Sequence, residues 1–166
     1  MSEMTSKTPM ITGEIQARID RWISHYPEDQ RQSAVMPALR IVQEANGGHL
    51  TTDLMDEVAD YLGMTPIAVY EVATFYSMYE HQPVGKHKIC VCTNISCMLR
   101  GADEVVRKLE EKLGVKVGEV TPDGKYSIKK VECLGACGGA PVIMEGKDYY
   151  ENITVDKVEQ FISGLE

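Results

Sequence analysis

Two short cysteine clusters, separated by a long stretch of ordinary sequence, constrain this chain more than any other feature. The first reads C-V-C-T-N-I-S-C from Cys90, the second C-L-G-A-C-G-G-A-P from Cys133. Together they hold all five cysteines of the 166-residue chain. Four form an ordered pattern, Cys92 and Cys97 as C-x4-C, then Cys133 and Cys137 as C-x3-C. A chain of this length buries roughly two-thirds of its unfolded surface and needs no disulfides to fold. The opening residues M-S-E-M-T-S-K-T-P-M are polar, lack the apolar core of a signal peptide and read as a frayed end. A reducing, intracellular setting is therefore expected, where clustered cysteines mean metal or redox chemistry.

Charge and composition remove other classes. A net charge of −8 argues against nucleic acid, which is bound by a basic face. No apolar run approaches the roughly 18 residues of a membrane span. No G-x-G-x-x-G follows a strand and no phosphate-cradling loop is present, so no dinucleotide is expected to bind this chain directly.

Hydrophobic periodicity divides the chain in two. Before Pro83 it predicts four short helices and hence a helical unit over 1–82. The first starts after Thr12, with Ile15, Ile19, Trp22 and Ile23 on one face and Trp22 as a core anchor. The second spans about Gln32 to Ala45, closed by Asn46-Gly47-Gly48. The third opens at Thr51 or Thr52, buries Leu54, Val58, Tyr61 and Leu62, and stops at Gly63. The fourth has Thr65 as cap and Pro66 at its first position. The tail A-T-F-Y-S-M-Y is aromatic enough for either core or a docking surface, with core favoured.

After Pro83 the pattern alternates, predicting an α/β unit over 83–166. A buried strand covers His87 to Val91, and an amphipathic helix covers Ala102 to Leu113. Strands are predicted at Val115–Val120 and Tyr126–Val131, joined by the Pro122-Asp123-Gly124 turn. A short strand at Val142–Met144 and a hairpin partner at Tyr149–Asn152 follow. Thr154 caps a final helix whose Val155, Val158, Phe161 and Ile162 face inward. The order is β-α-β-β-β-α, with the last strand short. Both cysteine loops follow strands, so one end of the sheet is expected to unite them.

Thiolates are soft ligands that select zinc, copper(I) or iron–sulfur clusters. Two cysteine pairs supply two sulfurs to each iron of a [2Fe–2S] cluster with little chain strain. Structural zinc remains open on spacing, although neither loop has the x2 knuckle of a zinc ribbon. A zinc-stabilised adaptor is thus the rival reading from another class. Thiol–disulfide exchange is disfavoured by the lack of C-x-x-C, and a Rieske centre by the lack of histidine within either cluster. Gly135, Gly138 and Gly139 allow backbone N–H groups close to the sulfurs, and Arg100, Lys129 and Lys130 offer nearby positive charge. Cys90 reads as a small buried core residue. His25, His49, His81 and His87 have no partner at ligand spacing.

C-T-N-I-S-C-M-L-R-G, followed by V-E-C-L-G-A-C-G-G-A-P-V, resembles the thioredoxin-like [2Fe–2S] ferredoxins. The preceding T-P-I-A-V-Y-E-V-A-T-F-Y-S-M-Y narrows the resemblance to the small [2Fe–2S] subunits of the NADH-oxidising module of respiratory complex I. The resemblance implies an N-terminal four-helix unit followed by a thioredoxin-like domain. It implies one [2Fe–2S] cluster per chain on Cys92, Cys97, Cys133 and Cys137, and no catalytic residue in the chain itself. It implies a larger partner subunit that binds NADH, FMN and a [4Fe–4S] cluster, among other complex I subunits. One electron would pass between that flavin and the cluster of this chain. The location implied is cytoplasmic, peripheral to the inner face of the cell membrane through the complex. Matching subunits of NAD-linked hydrogenases and formate dehydrogenases share the pattern.

Overall fold

A computed structural model describes residues 9–165; the polar opening stretch lies outside them up to position 8. The chain divides into two compact units, Met1–Pro83 and Val84–Glu166.

The first unit contains α1 (Gly13–Ile23), α2 (Val35–Ala45), α3 (Thr52–Leu62) and α4 (Pro66–Phe75). A 3-10 segment, Glu28–Ala34, precedes α2, so Pro37 falls in the first turn of α2, where a missing N–H costs nothing. The core is built from Ile19, Leu39, Val42, Leu50, Val58 and Val69. Gly63 ends α3 at φ 68°, a left-handed turn that only glycine adopts without cost. The Thr51 Oγ1 accepts a 3.3 Å bond from the Leu54 N–H at the start of α3. Thr51→Ala is expected to lower stability by about 1 kcal/mol, read from the urea midpoint.

Trp22 is not the core anchor expected from its periodicity. It is 44% exposed and packs edge-on against His25. Ile19, one turn earlier, fills the core position instead. The aromatic tail divides. Tyr79 is buried and its hydroxyl donates to the Met36 carbonyl at 2.9 Å, while Phe75, Tyr76 and Met78 face outward. Gln43 of α2 holds this tail by accepting from the Glu80 N–H and donating to the Met78 carbonyl.

The second unit is a four-stranded sheet in the order β2-β1-β3-β4. Its strands are β1 (His87–Cys92), β2 (Tyr126–Val131), β3 (Ile143–Glu145) and β4 (Asp148–Tyr150). β1 and β2 are parallel, which requires a crossover, and α5 (Ile95–Leu99) with α6 (Ala102–Leu113) supplies it. β3 runs antiparallel to β1 and to β4. α7 (Val158–Ser163) closes the unit, and Ile89, Val91, Val105, Leu109, Ile128, Ile143 and Val158 fill its core.

The predicted strand at Val115–Val120 is replaced by an irregular segment with one bridge, Val120 to Ser127. Gly118 at φ 89° breaks the extended run, and the Glu119 carboxylate accepts from the Lys116 N–H, folding the segment on itself. β2 pairs with β1 along its whole length and meets the returning segment only at that bridge and through the Gly118 and Thr121 N–H groups, which donate to the Ile128 and Tyr126 carbonyls. The final helix also begins later than expected. Val155–Lys157 is 3-10, and Val155 is exposed while Val158 and Phe161 are buried.

Candidate metal centre

Strand direction explains why two distant cysteine clusters meet. β1 ends at Cys92, which registers with Val131 at the end of β2. Because the two strands are parallel, both following loops leave from the same end of the sheet. β3 is antiparallel, so the chain from Cys137 enters it at that end too, and the Cys92 N–H donates to the Val142 carbonyl at 3.1 Å. The Thr93 N–H donates to the Val131 carbonyl at 3.0 Å, tying the first loop to the second.

The first cluster is more ordered than a loop. Asn94 caps the short α5, its Oδ1 accepting from the Ile95 N–H at 2.7 Å, and Cys97 lies on the buried face of that helix. The signal was present in T-N-I-S-C-M-L-R-G, which places an asparagine cap and a terminal glycine around this short helix. Cys92 and Cys97 are buried in a small apolar nest with Ala102, Ala140 and Val142, and Leu134 and Ala136 pack on it. Cys133 and Cys137 are exposed on the opposite loop. The centre is thus dry on one side and open on the other.

Polar groups converge on the sulfurs. The Gly135 N–H donates to Cys133 Sγ at 3.3 Å, a contact that follows from Gly135 at φ 74°. Cys92 Sγ lies 3.8 Å from the Glu132 carbonyl oxygen. Burial pushes the Cys92 thiol up, but the N–H groups of Asn94 and Leu134 and thiol bonds from Cys97 and Cys133 outweigh it and leave it below its ordinary value. Burial, a bond to Cys92 and the fields of Cys92 and Cys137 hold Cys97 above. Cys92 and Cys97 therefore feel each other, and each also feels one sulfur of the second loop. Among the described residues, no three His, Cys, Asp or Glu side chains are gathered as one metal ion requires. A two-iron group divides its four protein sulfurs between two metals, two at each iron. Cys90 is buried in β1, in register with Lys129 of β2 and Met144 of β3. Lys130 pairs with Asp103 at 3.4 Å, whereas Arg100 lines a cavity of about 250 Å³ with Ser96, Leu99, Cys137, Gly138 and Ala140.

Parallel β1 and β2 with a helical crossover, a β3–β4 hairpin and a sulfur-rich end define an α/β domain with a thiol-lined centre at one end of its sheet. The thioredoxin-like [2Fe-2S] ferredoxin family model matches residues 19–166, and the chain belongs to that family. An NADH-quinone oxidoreductase subunit of Rickettsia bellii is 46% identical over 86% of this chain and 86% of its own length. "NADH dehydrogenase [ubiquinone] flavoprotein 2, mitochondrial" of Dictyostelium discoideum is 41% identical over 86% of this chain and 58% of its own. Among solved structures, an NAD+-reducing [NiFe]-hydrogenase in the H2-reduced state matches with a TM-score of 0.65 at 16% identity. That match covers 76% of this chain and 22% of the hydrogenase chain, and it supports the fold. No helix among the described residues is long and apolar enough to cross a membrane.

Proposed function

We propose that this chain is the electron-transfer subunit of an NADH:quinone oxidoreductase. In this reading Cys92, Cys97, Cys133 and Cys137 ligate one [2Fe–2S] cluster per chain. The donor set fits such a group: four thiols from two loops, N–H groups directed at sulfur, and a nest half sealed by apolar side chains. The cluster, when bound, takes up and returns single electrons without a proton. The residues of the chain do the rest. Cys92 and Cys97 anchor the buried side, and Cys133 and Cys137 carry the group to the surface, where an electron has the shortest path to a partner. Backbone N–H groups offset the charge of the sulfurs.

The partner in this reading is a larger subunit holding NADH, FMN and a [4Fe–4S] cluster, whose flavin exchanges one electron with this chain. The first unit, Met1–Pro83, is a separate four-helix domain with the outward Phe75, Tyr76 and Met78 available for contact, and Val84–Glu166 is the cluster domain. The complex would sit at the inner face of the cell membrane, with this chain peripheral to it. The observation that carries the reading is the meeting of both cysteine pairs at one sheet end in a chain 41–46% identical to named subunits of this enzyme. The hydrogenase and formate dehydrogenase alternatives gain less, because the hydrogenase likeness lies at 16% identity.

Anaerobic affinity purification of the full chain from its own cells tests the assignment. A co-purifying flavin-containing polypeptide that oxidises NADH, together with quinone-reducing membrane subunits, is expected. Recovery with hydrogenase or formate dehydrogenase subunits instead would overturn it.

A further inference from the structure

The second cysteine loop is flanked by opposite charges. On one side Arg100, at the end of α5, shares a cavity with Cys137 and Gly138. On the other, the chain leaving β4 crosses the Cys137–Gly139 turn, and the Asn152 N–H donates to the Gly139 carbonyl at 2.6 Å. That crossing lays the Glu151 side chain directly on Gly139, so closely that a methyl group there would collide with its carboxylate. A glycine at 139 is what admits the carboxylate to the turn. Asn152 holds the crossing in place at φ 52°, a left-handed conformation that asparagine tolerates better than most residues.

We propose that Arg100 and Glu151 are opposed tuning charges that set how readily the centre beside Cys137 accepts an electron. The inference rests on the ligation reading above. Reduction adds one electron and one negative charge, from about −2 to about −3, with no proton taken up. A cation on the rim favours the reduced form and an anion on the rim disfavours it. Both groups lie on the exposed side, where water and salt weaken their fields, so each effect is moderate. Lys130, engaged with Asp103, contributes less than Arg100.

The test is a dithionite titration of the full cluster-bearing chain, followed by electron paramagnetic resonance and preceded by iron and sulfide analysis. At the potential that half-reduces the wild type, Arg100→Gln lowers the reduced-to-oxidised ratio by about three- to tenfold, and Glu151→Gln raises it by a similar factor. Tenfold corresponds to about 59 mV for one electron. Arg100→Lys and Glu151→Asp stay near wild type, and the double neutral variant returns toward it. The single shifts widen at low ionic strength. Shifts of the same sign, which loosening of the loop would give, or no shift with iron retained, overturn the proposal. If either glutamine variant fails to hold iron, the other decides by the same criterion. A wild-type chain without iron defeats the ligation reading itself, and with it this proposal, before any titration begins.

Discussion

Cys97→Ala is expected to empty the centre, lowering iron and acid-labile sulfide per chain by about tenfold or more. Cys97 is buried on α5 against Ala102, Ala140 and Val142, so no water or alternative side chain can take the place of its sulfur without opening the nest. The loss is predicted to be specific. Cys90→Ala, two residues before Cys92 on β1 and equally buried, is expected to keep full iron content, because Cys92, Cys97, Cys133 and Cys137 already supply two sulfurs to each iron in the proposed ligation. Iron analysis of both variants after anaerobic preparation checks the pair. Equal loss from both would mean that the core around β1, rather than ligation, governs iron content.

Ile89→Ala carries the largest expected effect on stability, a loss of about 2–4 kcal/mol. Ile89 is fully buried at the centre of β1, in register with Ile128 of β2 and Glu145 of β3. Truncation removes apolar contact and leaves a cavity in a sheet whose neighbours are held by backbone ladders and cannot collapse inward. The urea midpoint is expected to fall with an unchanged slope. A loss under about 1 kcal/mol would mean that the second unit is not held by this strand. Because β1 also delivers Cys92, weaker iron retention is expected to accompany the lower stability.

Helices with a single periodic face and a clear stop were legible in the sequence. α3 runs from its Thr51 cap to Gly63, and α6 from Ala102 to Leu113, as patterning and glycine placement imply. The cysteine pairs were equally plain, because their chemistry does not depend on register. The local β3–β4 hairpin was legible as well, but long-range pairing was not. Pro122-Asp123-Gly124 does form a turn, yet the segment before it folds on itself and β2 finds β1 across the helical crossover, a long-range choice that local turn chemistry cannot reveal. Trp22 shows the same limit. Helical spacing placed it on the apolar face, but the width of that face in contact depends on the neighbouring helices, and Ile19 satisfied it first. Glu151 had no sequence signal at all. Its place against Gly139 follows only from the path of the chain after β4.

The most direct test of the account is the metal content of the wild-type chain purified without oxygen. Two irons and two acid-labile sulfides per chain are predicted, with visible colour that a strong reductant bleaches in a one-electron step and a paramagnetic signal that appears with it. A colourless chain holding a single zinc, or one holding neither iron nor sulfide, would contradict it.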